Sequence, residues 1–168
     1  MKHKNIYKKL ADFGKKLLDK TSLGEGLPHI SKYVKEVIKA DRCSIFINDL
    51  QNNELWTTIS DEVEKIIVPS NQGIVGRTLK TKKPIIVNEP YLNPYFSSEI
   101  DKKTGYTTKN LITAPIFNSK REIIGILQLL NKESDFNNED IKFMIFFSHY
   151  ISGFLELVSL YKQQDKNK

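Results

Sequence analysis

Apolar residues recur at helical spacing near both ends of the chain and at strand-like spacing between them. In residues 5–19 the apolar positions form one stripe of an amphipathic helix, and they are Ile6, Leu10, Phe13 and Leu17. The same periodicity predicts a second helix from about Leu27 to Lys39, with Pro28 in its first turn. It also predicts a long final helix from about Glu139 to Tyr161, which Asn137 or Asn138 is suited to cap.

Six short runs in the middle of the chain are rich in β-branched and aromatic residues, which is typical of strands. They are residues 43–47, 55–59, 66–68, 84–87, 111–117 and 123–130. A helix from Gly73 to about Thr81 interrupts them, and residues 88–108 form a long polar segment of a kind that often carries function. Hairpin-connected strands with helices at the ends predict an α+β domain with one antiparallel sheet.

Composition and charge narrow the classes of partner. The chain has 168 residues, of which 39% are hydrophobic, and a net charge of +6. Only Arg42, Arg77 and Arg121 are arginines, and no basic cluster interleaved with aromatic residues is present, so no nucleic-acid partner is expected. No apolar run approaches about 18 residues, and residues 1–20 lack a signal-peptide core, so we expect a cytoplasmic protein without membrane contact.

No catalytic or metal-binding motif is recognisable. The three histidines, His3, His29 and His149, are isolated, and the single Cys43 excludes an intrachain disulfide and a multi-cysteine zinc site. Cys43 is interpreted as a small buried hydrophobe at the start of a strand. The run Gly73–Gly76 matches the GxxG loop of KH nucleic-acid-binding domains, but a strand precedes it here, and a tight entry into a helix explains it.

Several motifs follow one another in the order typical of a family of sensory domains. The shorter ones are Arg42-Cys43-Ser44-Ile45-Phe46, Gly73-Ile74-Val75-Gly76 and Asn93-Pro94-Tyr95-Phe96. The more specific ones are Asp101-x-x-Thr104-Gly105-Tyr106-x-Thr108-x-Asn110, and Asn131-Lys132 with Phe136 and Asp140. Over residues 24–160 the sequence resembles a GAF domain, most of all those of cyclic-nucleotide phosphodiesterases and bacterial cyclases. Ile141 stands where the last signature of the family ends in an acidic residue.

The resemblance implies a PAS-like fold with a single six-stranded antiparallel sheet. The N- and C-terminal helices would pack on one face of that sheet, and a lid of helix and loop would cover the other. The expected organisation is an N-terminal amphipathic helix over residues 1–23, a GAF domain over residues 24–161 and a Lys-rich tail over residues 162–168.

The ligand expected from the resemblance is a cyclic nucleotide, cAMP or cGMP, with no certain cofactor. The helix entered at Gly73 could offer the amides of Ile74 and Val75 to an anionic phosphodiester. By resemblance, Asp61 at the end of the second strand reads the base, with Ser60 in the place of the family's neighbouring aromatic residue. The expected ligand-binding set is Ser44, Asp61, Ile74, Val75, Asp101, Thr104 and Thr108. The alternative interpretation is that Ser44, Thr104 and Thr108 are ordinary turn and strand residues whose hydroxyls bind no ligand.

A structural clasp is expected between the last strand and the last helix. Lys132 leaves the strand and Asp140 begins the helix, so an ion pair between them would tie the two together. Asn131 and Phe136 complete the expected clasp. The family's version of this pair is thought to shape the pocket without touching the ligand, and a clasp that only holds the fold together is the alternative.

The function expected is that of a regulatory, small-molecule-sensing domain that is not itself an enzyme. It would be the sensory part of a longer kinase, cyclase or phosphodiesterase, and a ligand-free dimerisation and signal-relay module is the alternative. GAF domains that reduce free methionine sulfoxide use several cysteines, and a bilin needs a pocket cysteine, so the lone Cys43 disfavours both.

A parallel homodimer built on the terminal helices is expected to relay the signal. The first helix would contribute its apolar stripe to the dimer. The last helix also carries an apolar stripe, and one face of this helix would pack on the sheet while the other is free for a partner helix. Its members are Ile141, Met144, Ser148, Ile151, Leu155, Val158 and Lys162, and Ile145, Phe146, Phe147 and Phe154 widen it.

Overall fold

Six strands form one sheet, with helices on both of its faces. The computed structural model describes residue 12, residues 23–60 and residues 65–166. The helices are α1 (Leu23–Ile38), α2 (Gly73–Thr81), α3 (Glu99–Thr104) and α4 (Asn138–Lys166), with a 3-10 turn at Pro90–Leu92. The strands are β1 (Ala40–Asp49), β2 (Glu54–Ser60), β3 (Ile67–Pro69), β4 (Ile85–Val87), β5 (Leu111–Phe117) and β6 (Ile123–Lys132).

The sheet has the strand order β3-β2-β1-β6-β5-β4, and each pair of neighbours is antiparallel. Two hairpins, β1–β2 and β5–β6, meet along the central pair β1–β6, where Ser44 lies opposite Gln128 and Ile45 opposite Leu127. The two edge strands, β3 and β4, have only three residues each, which limits the unpaired backbone at the edges. The six-stranded antiparallel sheet predicted from the sequence is confirmed.

Helices α1 and α4 cover one face of the sheet and bury its main core. Residues without solvent exposure on this side include Leu27, Ile30, Val34, Ile45, Met144, Phe147 and Ile151. Gly26 lets the two helices approach closely, because a Cβ atom there would lie 1.9 Å from Cζ of Phe154. Helices α1 and α4 therefore form the helical layer that was expected on one face of the sheet.

Helix α2 and the segment around α3 cover the opposite face. Two smaller apolar clusters lie there, one around Phe46, Leu55, Val75 and Ile126, and one around Ile74, Val87 and Leu111. A buried pair of hydroxyls fastens α2 to the sheet, since Thr78 Oγ1 lies 2.5 Å from Thr113 Oγ1 and also donates to the Ile74 carbonyl. This arrangement agrees with the lid of helix and loop expected from the resemblance.

Several boundaries differ from those predicted. Helix α1 begins at Leu23, so Pro28 is its sixth residue rather than lying in the first turn. The turn before Pro28 is held by the close packing of Gly26 against Phe154. Helix α4 continues to Lys166, so residues 162–166 of the predicted tail are helical. The predicted helix over residues 1–23 lies outside the described residues, apart from residue 12 and Leu23.

The face of α4 that was expected to be free for a partner is partly the face that packs on the sheet. Met144, Ser148 and Ile151 of the predicted stripe are buried within the chain. Among the α4 side chains that the structure describes, up to residue 157, the exposed large apolar ones are Ile145, Phe146 and Leu157. The sequence of a helix that is apolar on most sides does not indicate which side packs on the sheet. None of the helices in the described part of the chain could cross a membrane.

Candidate functional site

A cavity of about 160 Å³ lies between the sheet and the segment that covers it. It brings together all the predicted ligand-binding residues that the structure describes, namely Ser44, Ile74, Val75, Asp101, Thr104 and Thr108. The seventh, Asp61, lies outside the described residues. Residues far apart along the chain therefore converge on one cavity.

The start of α2 forms one wall of the cavity. Gly73 has a φ of +67°, which places it in the left-handed region and turns the chain into the helix. No side chain caps this end at Gln72, and the first intrahelical bond runs from the Gly76 N–H to the Gln72 carbonyl at 3.0 Å. The N–H groups of Gly73, Ile74 and Val75 therefore have no partner inside the helix and are donors suited to an anion.

The floor of the cavity carries a polar patch on β1 and β6. Ser44 and Gln128 are cross-strand neighbours, and Arg42 lies two residues before Ser44 on the same face of β1. The side chains of Ser44 and Gln128 have no hydrogen-bond partner among the residues described. Sequence reasoning did not single out Arg42 or Gln128, although strand alternation from Ser44 places Arg42 on the cavity face.

The covering segment is held together by its own hydrogen bonds. Asp101 is buried and accepts three of them: from the Thr108 N–H at 2.8 Å, from Thr108 Oγ1 at 2.9 Å and from Tyr91 Oη at 2.6 Å. Thr104 Oγ1 donates to the Ile100 carbonyl at 2.8 Å and accepts from the Tyr106 N–H at 3.3 Å. Asp101 and Thr108 thus bond to each other as well as lining the cavity.

Tyr106 links this segment to the beginning of β1. Its hydroxyl donates to Asp41 Oδ2 at 2.7 Å, and the Arg42 guanidinium carbon lies 3.7 Å from the centre of its ring. Burial first, and then the hydrogen bond to Asp41, raise the pKa of the Tyr106 phenol well above its ordinary value of 10.0. Tyr106 belongs to a motif noted in the sequence, but only the fold brings Asp41 and Arg42 against it.

The expected clasp forms at the far end of β6. Lys132 Nζ lies 2.9 Å from Asp140 Oδ1 and 2.7 Å from Oδ2, and it lies 5.9 Å from the centre of the Phe136 ring. Asp140 also accepts the Asn137 N–H at 2.9 Å, while Asn137 Oδ1 accepts the Glu139 N–H at 2.8 Å. Asn137, rather than Asn138, therefore caps α4, with Asp140 bonding back to it.

Two asparagines form side-chain hydrogen bonds to the backbone near the clasp. Asn131, in the left-handed conformation at φ 56°, donates through Nδ2 to the Thr107 carbonyl at 2.8 Å and accepts the Lys109 N–H at 2.7 Å. Asn88 Oδ1 accepts the Phe136 N–H at 3.0 Å, and Asn88 Nδ2 donates to the Phe136 carbonyl at 3.1 Å. Asn88 was missed from the sequence, where its only signal is a polar residue directly after a strand.

Metal ligands do not gather in the described part of the chain. No group of three or more His, Cys, Asp or Glu side chains there could hold a metal ion. Cys43 is a fully buried thiol in the main core, in keeping with its interpretation as a small hydrophobe.

Comparisons with known proteins agree with this architecture. The family model of the GAF domain matches residues 22–154. The dual 3',5'-cyclic-AMP and -GMP phosphodiesterase 11A of Takifugu rubripes is 35% identical in an alignment 141 residues long, which covers 74% of this chain and 15% of that protein. The cGMP-specific 3',5'-cyclic phosphodiesterase of Drosophila mojavensis is 38% identical in an alignment 122 residues long, which covers 61% of this chain and 11% of that protein. The chain thus spans only a small part of the length of these relatives.

Solved structures show the same fold at low sequence identity. The GAF domain of a phosphoenolpyruvate-protein phosphotransferase from Coxiella burnetii superposes with a TM-score of 0.83 at 18% identity, over 95% of this chain and 97% of that one. The free methionine-R-sulfoxide reductase of Neisseria meningitidis superposes with a TM-score of 0.77 at 15% identity, over 90% of this chain and 89% of that one. At these identities the likeness concerns the fold alone.

Proposed function

Because the chain belongs to the GAF domain family, we propose that it is a regulatory domain that binds a cyclic nucleotide, cAMP or cGMP, in the cavity above the sheet. The observation that carries the proposal is that six predicted ligand-binding residues from four separate segments line this one cavity. The curated relatives, which are phosphodiesterases for cyclic AMP and cyclic GMP by name, support the choice of ligand class.

The chemistry of the cavity walls suits the parts of such a ligand. The unpaired amides of Gly73, Ile74 and Val75 are donors for the cyclic phosphodiester. Apolar side chains that include Phe96 and Leu130 provide flat contacts for a purine ring. The hydroxyl of Ser44, the amide of Gln128 and the N–H groups of Arg42 can then hydrogen-bond to the edge of the base or to the ribose.

The cavity is small enough that nucleotide binding would require a conformational change in the segment that covers it. A volume of about 160 Å³ is below the roughly 300–1,000 Å³ typical of ligand pockets, so a nucleotide requires the covering segment to move outward. That segment is held to β1 by the contacts of Tyr106 with Asp41 and Arg42. We infer that ligand entry breaks and remakes these contacts, and that the terminal helices on the other face of the sheet pass the change to an attached output domain.

The domain itself would be a cytoplasmic, non-catalytic sensor. The relatives that it matches are many times longer, so the catalytic or signalling output is expected to lie in other parts of the full protein. A kinase, a cyclase or a phosphodiesterase is a suitable output domain.

A second candidate function is that of a ligand-free dimerisation and signal-relay module. It is favoured by the hydrogen bonds of Asp101, because a carboxylate that already accepts three protein donors has little capacity left for a ligand. The exposed apolar side chains of α4, Ile145, Phe146 and Leu157, would serve the dimer in either case.

Calorimetric titration with cAMP and with cGMP separates the two candidates. A ligand that binds only the folded state should stabilise it by RT ln(1 + [L]/Kd), which is about 2.7 kcal/mol at one hundred times Kd. Binding of either nucleotide supports the sensor, and mass spectrometry of the denatured protein would reveal a nucleotide that co-purifies. The absence of both heat and a melting shift at millimolar concentrations of both nucleotides would leave the ligand-free module.

The assignment of Asp61 as the base reader has its own test. Asp61→Ala should change the ratio of the two affinities more than it changes their common level, because both nucleotides share the same phosphodiester. Equal losses of affinity for cAMP and cGMP would show that Asp61 does not read the base.

A further inference from the structure

A second concave surface lies on the outer side of α2, away from the sheet. This groove, of about 520 Å³, runs between α2 and the segment that holds Pro94 and Tyr95. The residues that define it here are Ser70, Asn71, Gly76, Arg77, Lys80 and Tyr95. It shares only Gly73 with the lining of the cavity, so it is a separate site, and its volume lies within the range of about 300–1,000 Å³ found for ligand pockets.

The groove carries two positively charged side chains, and no acidic side chain lies among the described residues that line it. Arg77 and Lys80 lie three residues apart on one side of α2, where side chains at that spacing are neighbours. Neither cation forms an ion pair within the described part of the chain. Two neighbouring cations without a carboxylate attract an anion.

The groove also contains a contact between a cation and an aromatic ring. The Arg77 guanidinium carbon lies 4.4 Å from the centre of the Tyr95 ring, and the Tyr95 N–H is fixed by a 2.9 Å bond to Asn93 Oδ1. A guanidinium group is planar and has in-plane N–H groups, so it can stack with a planar group and also donate to phosphate oxygens.

Gly76 shapes the remaining wall. A Cβ atom at this position would lie 2.8 Å from the Ser70 carbonyl oxygen and from the Asn71 carbonyl carbon. Only glycine therefore allows residues 70–71 to lie against α2, where Ser70 and Asn71 add polar groups to the groove.

We propose that this groove is a second ligand site, for an organic phosphate of nucleotide size that carries a planar ring. The ring stacks on the Arg77 guanidinium, and Lys80 with the in-plane donors of Arg77 holds the phosphate groups. This site is independent of the cavity proposed for the cyclic nucleotide.

The probes are ADP, which has a planar ring, and inorganic pyrophosphate, which has none. Both are titrated calorimetrically into the Ser44→Leu variant, in which the added side chain is expected to block the cavity, so that the titration reports on the groove. We expect ADP to bind with a Kd below about 1 mM and at least about fivefold more tightly than pyrophosphate. Equal affinities for the two probes would overturn the assignment of a planar ligand.

Charge-specific variants locate the binding. Lys80→Gln should weaken both probes by about fivefold or more, because it removes a phosphate contact. Arg77→Lys should keep pyrophosphate binding but remove the advantage of ADP, because an ammonium carries the charge without the flat face. The matched control is Lys103→Gln, because Lys103 lines the cavity and not the groove. This variant should leave the affinities for ADP and for pyrophosphate unchanged.

Two outcomes would overturn the site as a whole. One is the absence of ADP binding up to about 5 mM in the folded Ser44→Leu protein. The other is ADP binding that Lys80→Gln leaves as tight as before. Because cAMP and cGMP also carry a planar ring and a phosphate, their binding is assigned to the cavity only where Ser44→Leu removes it, and that comparison does not depend on either outcome.

Discussion

Lys132, at the end of β6, directs its ammonium group at both carboxylate oxygens of Asp140, in the first turn of α4, at 2.9 and 2.7 Å. The two side chains are only 14% and 7% exposed, so this ion pair is largely withdrawn from water. Asp140 also accepts the Asn137 N–H, so that one carboxylate joins the strand end, the connecting turn and the helix start. An exposed pair on the same helix, Lys142 with Glu139, provides a direct comparison.

The clasp should therefore contribute to stability in a way that the exposed pair does not. Lys132→Ala and Asp140→Ala should each lower the free energy of unfolding by about 3 kcal/mol, because each leaves a mostly buried charge without its partner. The double variant should cost less than the sum of the two, by at least about 1 kcal/mol. Urea unfolding of the four proteins measures this.

The matched control for the clasp is the cycle of Lys142→Ala and Glu139→Ala, where coupling should stay within about 0.5 kcal/mol because water screens the pair. Strict additivity at Lys132 and Asp140 would contradict the clasp.

Filling the cavity should separate stability from ligand binding. Ser44→Leu places an apolar side chain on the cavity floor next to Phe46 and Val75, so the melting temperature should stay level or rise. Binding of cAMP or cGMP should fall at least tenfold, because the added side chain occupies ligand space and the Ser44 hydroxyl is lost. Thermal melting and calorimetry give the two readouts.

Ser119→Leu, in the exposed turn between β5 and β6, is the control for Ser44→Leu and should leave nucleotide affinity as it is. If Ser44→Leu bound nucleotide as well as the unaltered protein, the ligand would have to sit elsewhere.

The contact of Tyr106 with Asp41 should make stability sensitive to alkaline pH. The pKa of Tyr106 is raised in the folded protein, so the neutral phenol is favoured by folding, whereas the unfolded chain ionises near the ordinary value of 10.0. The stabilisation is complete below about pH 10 and is lost as the pH rises towards the folded pKa. The unaltered protein should therefore lose more free energy of unfolding than Tyr106→Phe between about pH 8 and pH 10.5. Urea unfolding at the two pH values decides this, and equal losses would show that Tyr106 is not responsible.

The proposed homodimer should depend on the exposed side of α4 or on the predicted N-terminal stripe. Sedimentation equilibrium at about 100 μM should show a dimer, since an interface of standard size holds at that concentration. The double variant Phe146→Glu/Leu157→Glu should be monomeric with an unchanged sheet if the contact uses α4, and Ile6→Glu/Leu10→Glu if it uses the first helix.

Leu50→Glu, which alters another exposed apolar residue in the β1–β2 turn, is the control for the dimer and should remain dimeric. A monomeric unaltered protein at this concentration would contradict the dimer.

Local pattern alone was sufficient for the six strands and for helices α1, α2 and α4, but it did not predict α3 (Glu99–Thr104) within the long polar segment. Alternation in β1 around Ser44 and Ile45, and the turn residues between the hairpin strands, act over a few residues, so they can be read from the chain. The resemblance to the GAF family supplied the signature that contains Lys132 and Asp140, and their pairing could be expected from the sequence because strand end and helix start are only eight residues apart.

Contacts between distant segments could be decided only by the tertiary structure. Helix α4 is apolar on several sides, and only its packing on the sheet shows that Met144 is buried while Phe146 is exposed. Arg42 and Tyr106 are separated by more than sixty residues, and their stacking depends on how the covering segment crosses the end of β1. Side-chain periodicity defines which faces are apolar, but the pairing of one face with another is settled by packing across the whole fold.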